Sequence, residues 1–254
     1  MASPLSTPAI ILATIRYGET SKIARLATRE LGVQSAIAKG ALRPKSRFGA
    51  ALHLLSEGDA TLHLARRSDL HTLAHFDPRY LRVGLAERLD RYATASLLCE
   101  LMLRLAPATR HPESYDLFRD ALAVLEAAPA AAVEPLGLRM LWRLVAVLGF
   151  APALDSCARD GAAVPAGGTV CFSPQDGGVL CARCARDRVG AQLKQEDRAD
   201  LAAWVDANAT LPSLDERHLA AHRRLLERYV RHHLSEGAPL PALTFWAERG
   251  WIAA

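Results

Sequence analysis

Glu57-Gly-Asp-Ala-Thr-Leu-His-Leu64 is the stretch whose reading settles the first third of the chain. Thr61, Leu62, His63 and Leu64 alternate in polarity, as a half-buried strand does because successive side chains leave opposite faces of the backbone. Gly58-Asp59 reads as a tight join between this strand and an apolar segment at Leu52 to Glu57. Working outward, Ala9 to Arg16, Gln34 to Lys39, Ala60 to Arg66 and Asp69 to Phe76 have the same short, turn-bounded character. Ser21 to Leu31 fits a helix by the spacing of Ile23, Leu26, Ala27 and Glu30. It also fits a strand entering a turn at Leu31-Gly32, and the strand is preferred. Several short strands between Pro8 and Phe76 predict a small sandwich or barrel.

After Asp77-Pro78 the texture changes. From Tyr80 to Leu105 apolar residues recur every three or four positions, which predicts one long amphipathic helix. A second helix starts at Pro112, with Glu113 and Asp116 at its positive end, and stops at Pro129. A third covers Glu134 to Leu148 and is broken by Gly149 and Pro152. Asp155 to Asp187 has no helical period and reads as an inserted knuckle. Helices resume at Gln195 to Asn208 and again after Ser213, where Ser213-Leu-Asp-Glu216 has the pattern of a capping box, ending near His233. The expected fold is α+β: a β domain over residues 1–78, then an all-helical domain over 79–254 with a cysteine-rich loop at about 155–187.

The chain has 254 residues, half of them hydrophobic, enough for one or two cores, and a net charge of only +4. The charge is unevenly placed. Residues 1–80 hold 11 Lys+Arg against 6 Asp+Glu, a net +5, which leaves the remainder at −1. No apolar run approaches the roughly 20 residues that cross a bilayer, and Met1-Ala-Ser-Pro-Leu5 lacks the basic start and apolar core of a signal peptide. A cytoplasmic protein without a membrane partner is expected. No phosphate loop, dinucleotide glycine fingerprint or nucleophile elbow occurs, so nothing anchors an enzyme reading and a non-catalytic role is expected.

Two clusters carry chemistry. Lys39-Gly-Ala-Leu-Arg43-Pro-Lys45-Ser-Arg47-Phe48 places four cations in nine positions without an acid, and Gly40 and Pro44 open the backbone. Such a run can track phosphates, although most charge runs are solvated loops. Arg16, Lys22, Arg25 and Arg29 extend the same surface if the first two strands lie beside it. The second cluster is Cys157-x-x-Asp160 with Cys181-x-x-Cys184, the spacing of a zinc knuckle with one ligand changed. Cys157, Cys181 and Cys184 supply three thiolates. The fourth position falls to Cys171, to Asp160 or to water, and the two-residue spacing from Cys157 favours Asp160. The plain alternative is a loop that has lost its metal and is held by packing. His218-x-x-x-His222 lacks the glutamate of a catalytic zinc helix and reads as a solvated face, and Cys99 as a buried hydrophobe.

Arg16-Tyr-Gly-Glu19, Ala38-Lys-Gly-Ala-Leu-Arg-Pro-Lys-Ser-Arg-Phe48 and Phe172-Ser-Pro-x-x-Gly-Gly-Val-Leu-Cys181-x-x-Cys184 together resemble the bacterial recombination mediator family RecO. The resemblance runs from about Ile10 into the C-terminal region. It implies an N-terminal OB-fold barrel on a helical domain, and binding of single- and double-stranded DNA with annealing of complementary strands. It further implies work with RecR and the C-terminal tail of single-strand-binding protein to load recombinase in RecF-type DNA repair. Carried over by position, Lys39, Arg43, Lys45 and Arg47 would contact DNA, and Cys157, Cys181 and Cys184 would hold a structural zinc. Asp160 departs from the family's four-cysteine pattern, which bears on zinc and not on the fold. Two other classes stand against this reading: an RNA-binding, translation-associated OB-fold protein, and a zinc hydrolase, which would need an open metal position and a general base.

Overall fold

The computed structural model describes residues 4–49, 51–234 and 239–249. Met1 and the tail from Gly250, which fall within the expected domain spans, lie outside these residues. The chain divides into two compact units, Met1–Glu126 and Ala127–Ala254.

In the first unit, β1 (Leu5–Tyr17), β2 (Ser21–Thr28), β3 (Gly32–Ala38), β4 (Glu57–His63) and β5 (Leu70–Tyr80) close into a barrel in the order β1-β2-β3-β5-β4. Only β3 and β5 run parallel. This closure is that of an oligonucleotide-binding barrel. Five strands leave a narrow interior, which suits the small residues found there: Ala9, Ala24, Ala36, Ala38 and Ala60 alternate with Ile11, Leu26, Leu62 and Leu73. The ambiguous segment Ser21 to Leu31 is strand β2 and a turn. The period-two pattern wins because Ala24 and Leu26 meet the core while Ile23 and Arg25 face outward.

Two expectations fail at β4. Leu52 to Glu57 is not a strand up to its last residue; it is a loop whose Leu52 joins the barrel core and whose Leu55 is buried. Gly58-Asp59 is no join either, since both residues lie within β4, Gly58 opposite Ala9 and Pro78. Glycine is required there by close approach, because a Cβ would lie 2.1 Å from the carbonyl oxygen of Asp77.

The helix predicted from Tyr80 starts later. β5 continues to Tyr80, Arg82 takes left-handed φ (53°), and a short 3-10 turn at Val83–Leu85 precedes α1 (Leu89–Leu105). α2 (Pro112–Ala127) forms as expected. Arg82 explains the delay: its guanidinium bridges Glu57 of β4 and Glu126 of α2, at 3.1 Å to the latter. Cys99 is 3% exposed, its thiol donates to the Leu12 carbonyl, and burial pushes its pKa up to about 12.

The second unit holds α3 (Val133–Val145), α4 (Gln195–Val205), α5 (Glu216–Leu234) and α6 (Pro241–Glu248), the last not foreseen. The predicted knuckle contains a small sheet in the order β7-β6-β8, formed by β6 (Val170–Ser173), β7 (Gly178–Leu180) and β8 (Ala191–Leu193). Trp142 and Phe172 pack on Tyr229 as a buried aromatic centre, and Trp204 is buried as well. The cap of α5 is Asp215 rather than Ser213: its carboxylate accepts the His218 N–H at 2.9 Å.

Candidate nucleic-acid interface and metal centre

The expected DNA contacts gather at one end of the barrel. Arg16 on β1 lies opposite Lys22 on β2, and Lys22 lies opposite Ala38, the residue before Lys39. The loop after β3 folds back onto this end, where the Leu42 N–H donates to the Thr20 carbonyl in the β1–β2 turn at 2.8 Å. Gly40 takes φ +71°, and the Arg43 side chain packs over it. Arg43, Lys45 and Arg47 follow, all exposed, while Phe48 is 2% exposed and serves as a core plug with the Arg47 guanidinium 5.2 Å from its ring. Arg25 stands apart on the outer face of β2, beside Ser35 and in line with a ladder of Ile15, Ile23 and Ile37.

These residues lack counter-charge, as do Arg66 and Arg67 of the same barrel. Among the described residues, none of Arg16, Lys22, Arg25, Lys39, Arg43, Lys45 or Arg47 forms an ion pair. Arg29, read as part of the same surface, does the reverse: it grips Asp116 of α2 through Nε and Nη2, at 3.1 and 3.0 Å. It also lies at the other end of β2. Two exposed cations escaped the sequence reading, Arg66 and Arg67 in the β4–β5 loop. The signal was a basic pair set against Ser68-Asp69 between two strands.

The metal cluster is built by two turns. Cys157 and Asp160 share a tight turn in which the Gly161 N–H donates to the Cys157 carbonyl and glycine supplies φ +70°. Cys181 and Cys184 flank a second, closed by the Ala185 N–H on the Cys181 carbonyl. The three sulfurs and a carboxylate oxygen of Asp160 lie within 4.8 Å of one another, so the group can hold a metal ion. Cys171 lies outside it, on β6, buried with its sulfur packed under Gly190.

Asp160 is the hub of this cluster. Its Oδ1 accepts the Ala162 N–H at 3.0 Å, and its Oδ2 accepts from Arg183 at 2.8 Å and from the Cys184 thiol at 3.1 Å. The Arg183 guanidinium, with the thiol bonds, holds the carboxyl far below its usual range. The hydrogen bond to Asp160 raises Cys184, whereas the backbone N–H of Cys184 lowers Cys181. Arg183 was not legible as part of this site, and neither was Asp176, which ties Arg188 and Arg159 across the knuckle at 3.2 and 3.6 Å.

His218 and His222 do not share a solvated face as expected. His218 pairs with Asp215, and His222 is buried against Trp204.

The fold and these sites define a class: an oligonucleotide-binding barrel followed by helices that carry a thiolate-rich, metal-competent knuckle. The family models described as Recombination protein O N terminal and Recombination protein O C terminal match residues 1–80 and 86–242. The chain is similar to the DNA repair protein RecO of Rubrobacter xylanophilus, with 38% identity over 70% of each chain. It is also similar to that of a Nocardioides species, at 32% over 90% of this chain and 94% of the relative, and of an Anaeromyxobacter species, at 30% over 98% of each. The chain belongs to the recombination protein O family. No helix among the described residues is long and apolar enough to cross a membrane.

Proposed function

We propose that this chain is a cytoplasmic recombination mediator that binds single- and double-stranded DNA through its barrel, anneals complementary strands and helps load recombinase in DNA repair. The observation that carries the reading is the set of cations at the Lys39–Arg47 end that, among the described residues, no carboxylate pairs with. An uncompensated cation on a turn can release counterions from a phosphate, whereas one already paired within the protein cannot do so without breaking its bond. Residues 1–78 would be the nucleic-acid domain. Lys39, Arg43, Lys45 and Arg47 would contact phosphates first, and Arg16 and Lys22 would continue the track. Arg25 and the outer face of β2 and β3 would lead it toward Arg66 and Arg67. RecR and the single-strand-binding protein tail would be the protein partners, the helical domain offering the tail its surface. With cations at one site and metal-ligand donors at the other, the chain would act by holding strands rather than by catalysis.

The knuckle's donor set fits zinc. Three thiolates and one carboxylate would supply the four ligands of a structural ion, whereas a hydrolase's metal keeps an open position. Cys157, Asp160, Cys181 and Cys184 would hold it, and the ion would supply cross-linking of two turns too polar to fold alone.

Replacing Lys39, Arg43, Lys45 and Arg47 together by Ala should weaken binding to single- and double-stranded oligonucleotides of unrelated sequence alike and slow strand annealing. The control is Arg29→Ala, which removes a cation that is already paired. Equal loss in both variants would mean that general charge rather than this loop is responsible. Preference for structured RNA over single-stranded DNA would favour the translation-associated reading instead.

A further inference from the structure

In the second unit, β8 and α5 wall an open slot of about 140 Å³. Leu193, Ala221 and Leu225 give it apolar sides, and its charged and titratable groups are Asp197, His222, Arg224 and Arg228. His222 is 3% exposed, and neither of its ring nitrogens has a hydrogen-bond partner among the described residues. Its ring lies against Trp204, the centroids 4.9 Å apart. A buried imidazole without a partner is costly, and His222 contributes to the lining of the slot. Burial lowers its pKa, so the ring meets that ligand neutral, with one donor and one acceptor.

The order of charges selects the ligand. Arg224 and Arg228, one turn apart on α5, line the slot, are exposed and form no ion pair among the described residues. Asp197 uses Oδ2 to accept the Lys194 N–H at 3.2 Å, which leaves Oδ1 for another donor. A slot lined by a buried neutral imidazole, a half-buried acid and two exposed guanidinium groups repels a carboxylate from the acid and accepts hydrogen-bond donors beside it. A nucleotide has this pattern: a flat, largely apolar base with amine donors on its edge, and phosphates one sugar away. An acidic peptide does not, because it would bring carboxylates toward Asp197.

We propose that the β8–α5 slot takes one unstacked base of a DNA strand, with the flanking phosphates on Arg224 and Arg228. The assignment rests on the reading of the chain as a DNA-binding protein and adds a contact in the second unit to that of the barrel.

The test uses the full chain carrying the four loop substitutions, so that the barrel contribution is reduced. Equilibrium dialysis against dAMP, dCMP and dGMP, with inorganic phosphate and an acidic peptide as competitors, reads the slot directly. Deoxynucleotides should bind, and His222→Leu should weaken them about two- to tenfold, the loss of one hydrogen bond. That variant exchanges an unpartnered polar group for an apolar one, so its melting curve should hold. For single-stranded DNA, Arg224→Ala with Arg228→Ala should lower the log–log salt slope by about 0.7 per lost contact, whereas His222→Leu should leave it unchanged. Unchanged nucleotide binding in His222→Leu would overturn the proposal. So would full displacement by equimolar phosphate, or displacement by the acidic peptide alone. If the loop variants bind DNA normally while the slot variants do not, the barrel reading falls and the slot stands. If nucleotides fail to bind while the loop variants lose DNA, the reverse holds.

Discussion

The first unit handles two sets of cations in opposite ways. Arg29, Arg79, Arg82, Arg88, Arg110 and Arg119 each meet a carboxylate, and the best buried of them, Arg82, is only 9% exposed along its side chain. Lys39, Arg43, Lys45 and Arg47 stand exposed on turns, in no ion pair among the described residues. Composition merges the two sets into one net charge. The contrast shows that what a surface offers a polyanion is the charge left after internal pairing, and that this remainder is concentrated at one end of the barrel.

The sharpest way to break the comparison is at Arg82. Its removal leaves Glu57, itself nearly buried, without a partner, and breaking a buried pair in this way costs about 3–5 kcal/mol. Arg82→Met should therefore show a large loss in denaturant midpoint with DNA affinity of the folded protein unchanged. If affinity falls while stability holds, the division into structural and functional cations is wrong.

The next effect is metal removal. A chelator should lower the melting temperature, metal analysis should find about one zinc per chain, and Cys181→Ser or Cys184→Ser should cost more than Cys99→Ser. Protein that melts identically with and without chelator would leave the knuckle as an ordinary packed loop. Asp160→Cys, which restores four thiolates, should raise resistance to chelation, and a drop instead would show that Arg183 requires the carboxylate.

The smallest effect concerns Arg29. Its guanidinium lowers the pKa of Asp116, so the pair contributes stability above the ordinary carboxylate value and loses it as pH falls through the lowered one. Acid unfolding curves of wild type and Arg29→Ala should differ slightly near neutrality, because the pair is partly exposed, and the gap should begin to close once pH falls below the ordinary carboxylate value. A gap that widens on acidification would contradict the assignment.

The barrel was legible because alternation shows in β4, where Ala60 and Leu62 face in and Thr61 and His63 face out, whereas β2 alternates too but its spacing also fits a helix. β4 was misread at its start because a glycine demanded by the approach of Asp77 has the same letter as a glycine demanded by a turn. The loop cations could be named from sequence, but their freedom from counter-charge could not, since Arg29 and Arg43 look alike until Asp116 is in place. In the knuckle, the spacing picked out Cys157, Asp160, Cys181 and Cys184. The competing claim of Cys171 was open until pairing of β6 with β7 and β8 carried its sulfur under Gly190, away from the cluster. His222 was hidden by a helical repeat that does not reveal which face Trp204 covers.

The central claim is that the unpaired cations of the barrel are the DNA contact, and the salt dependence of single-stranded DNA binding tests it most directly. The plot of log affinity against log salt should flatten by about 0.7 for each phosphate contact removed, hence by up to roughly 2.8 when Lys39, Arg43, Lys45 and Arg47 are all replaced by Ala. A slope identical to that of the wild-type chain would place the DNA path elsewhere and contradict the account.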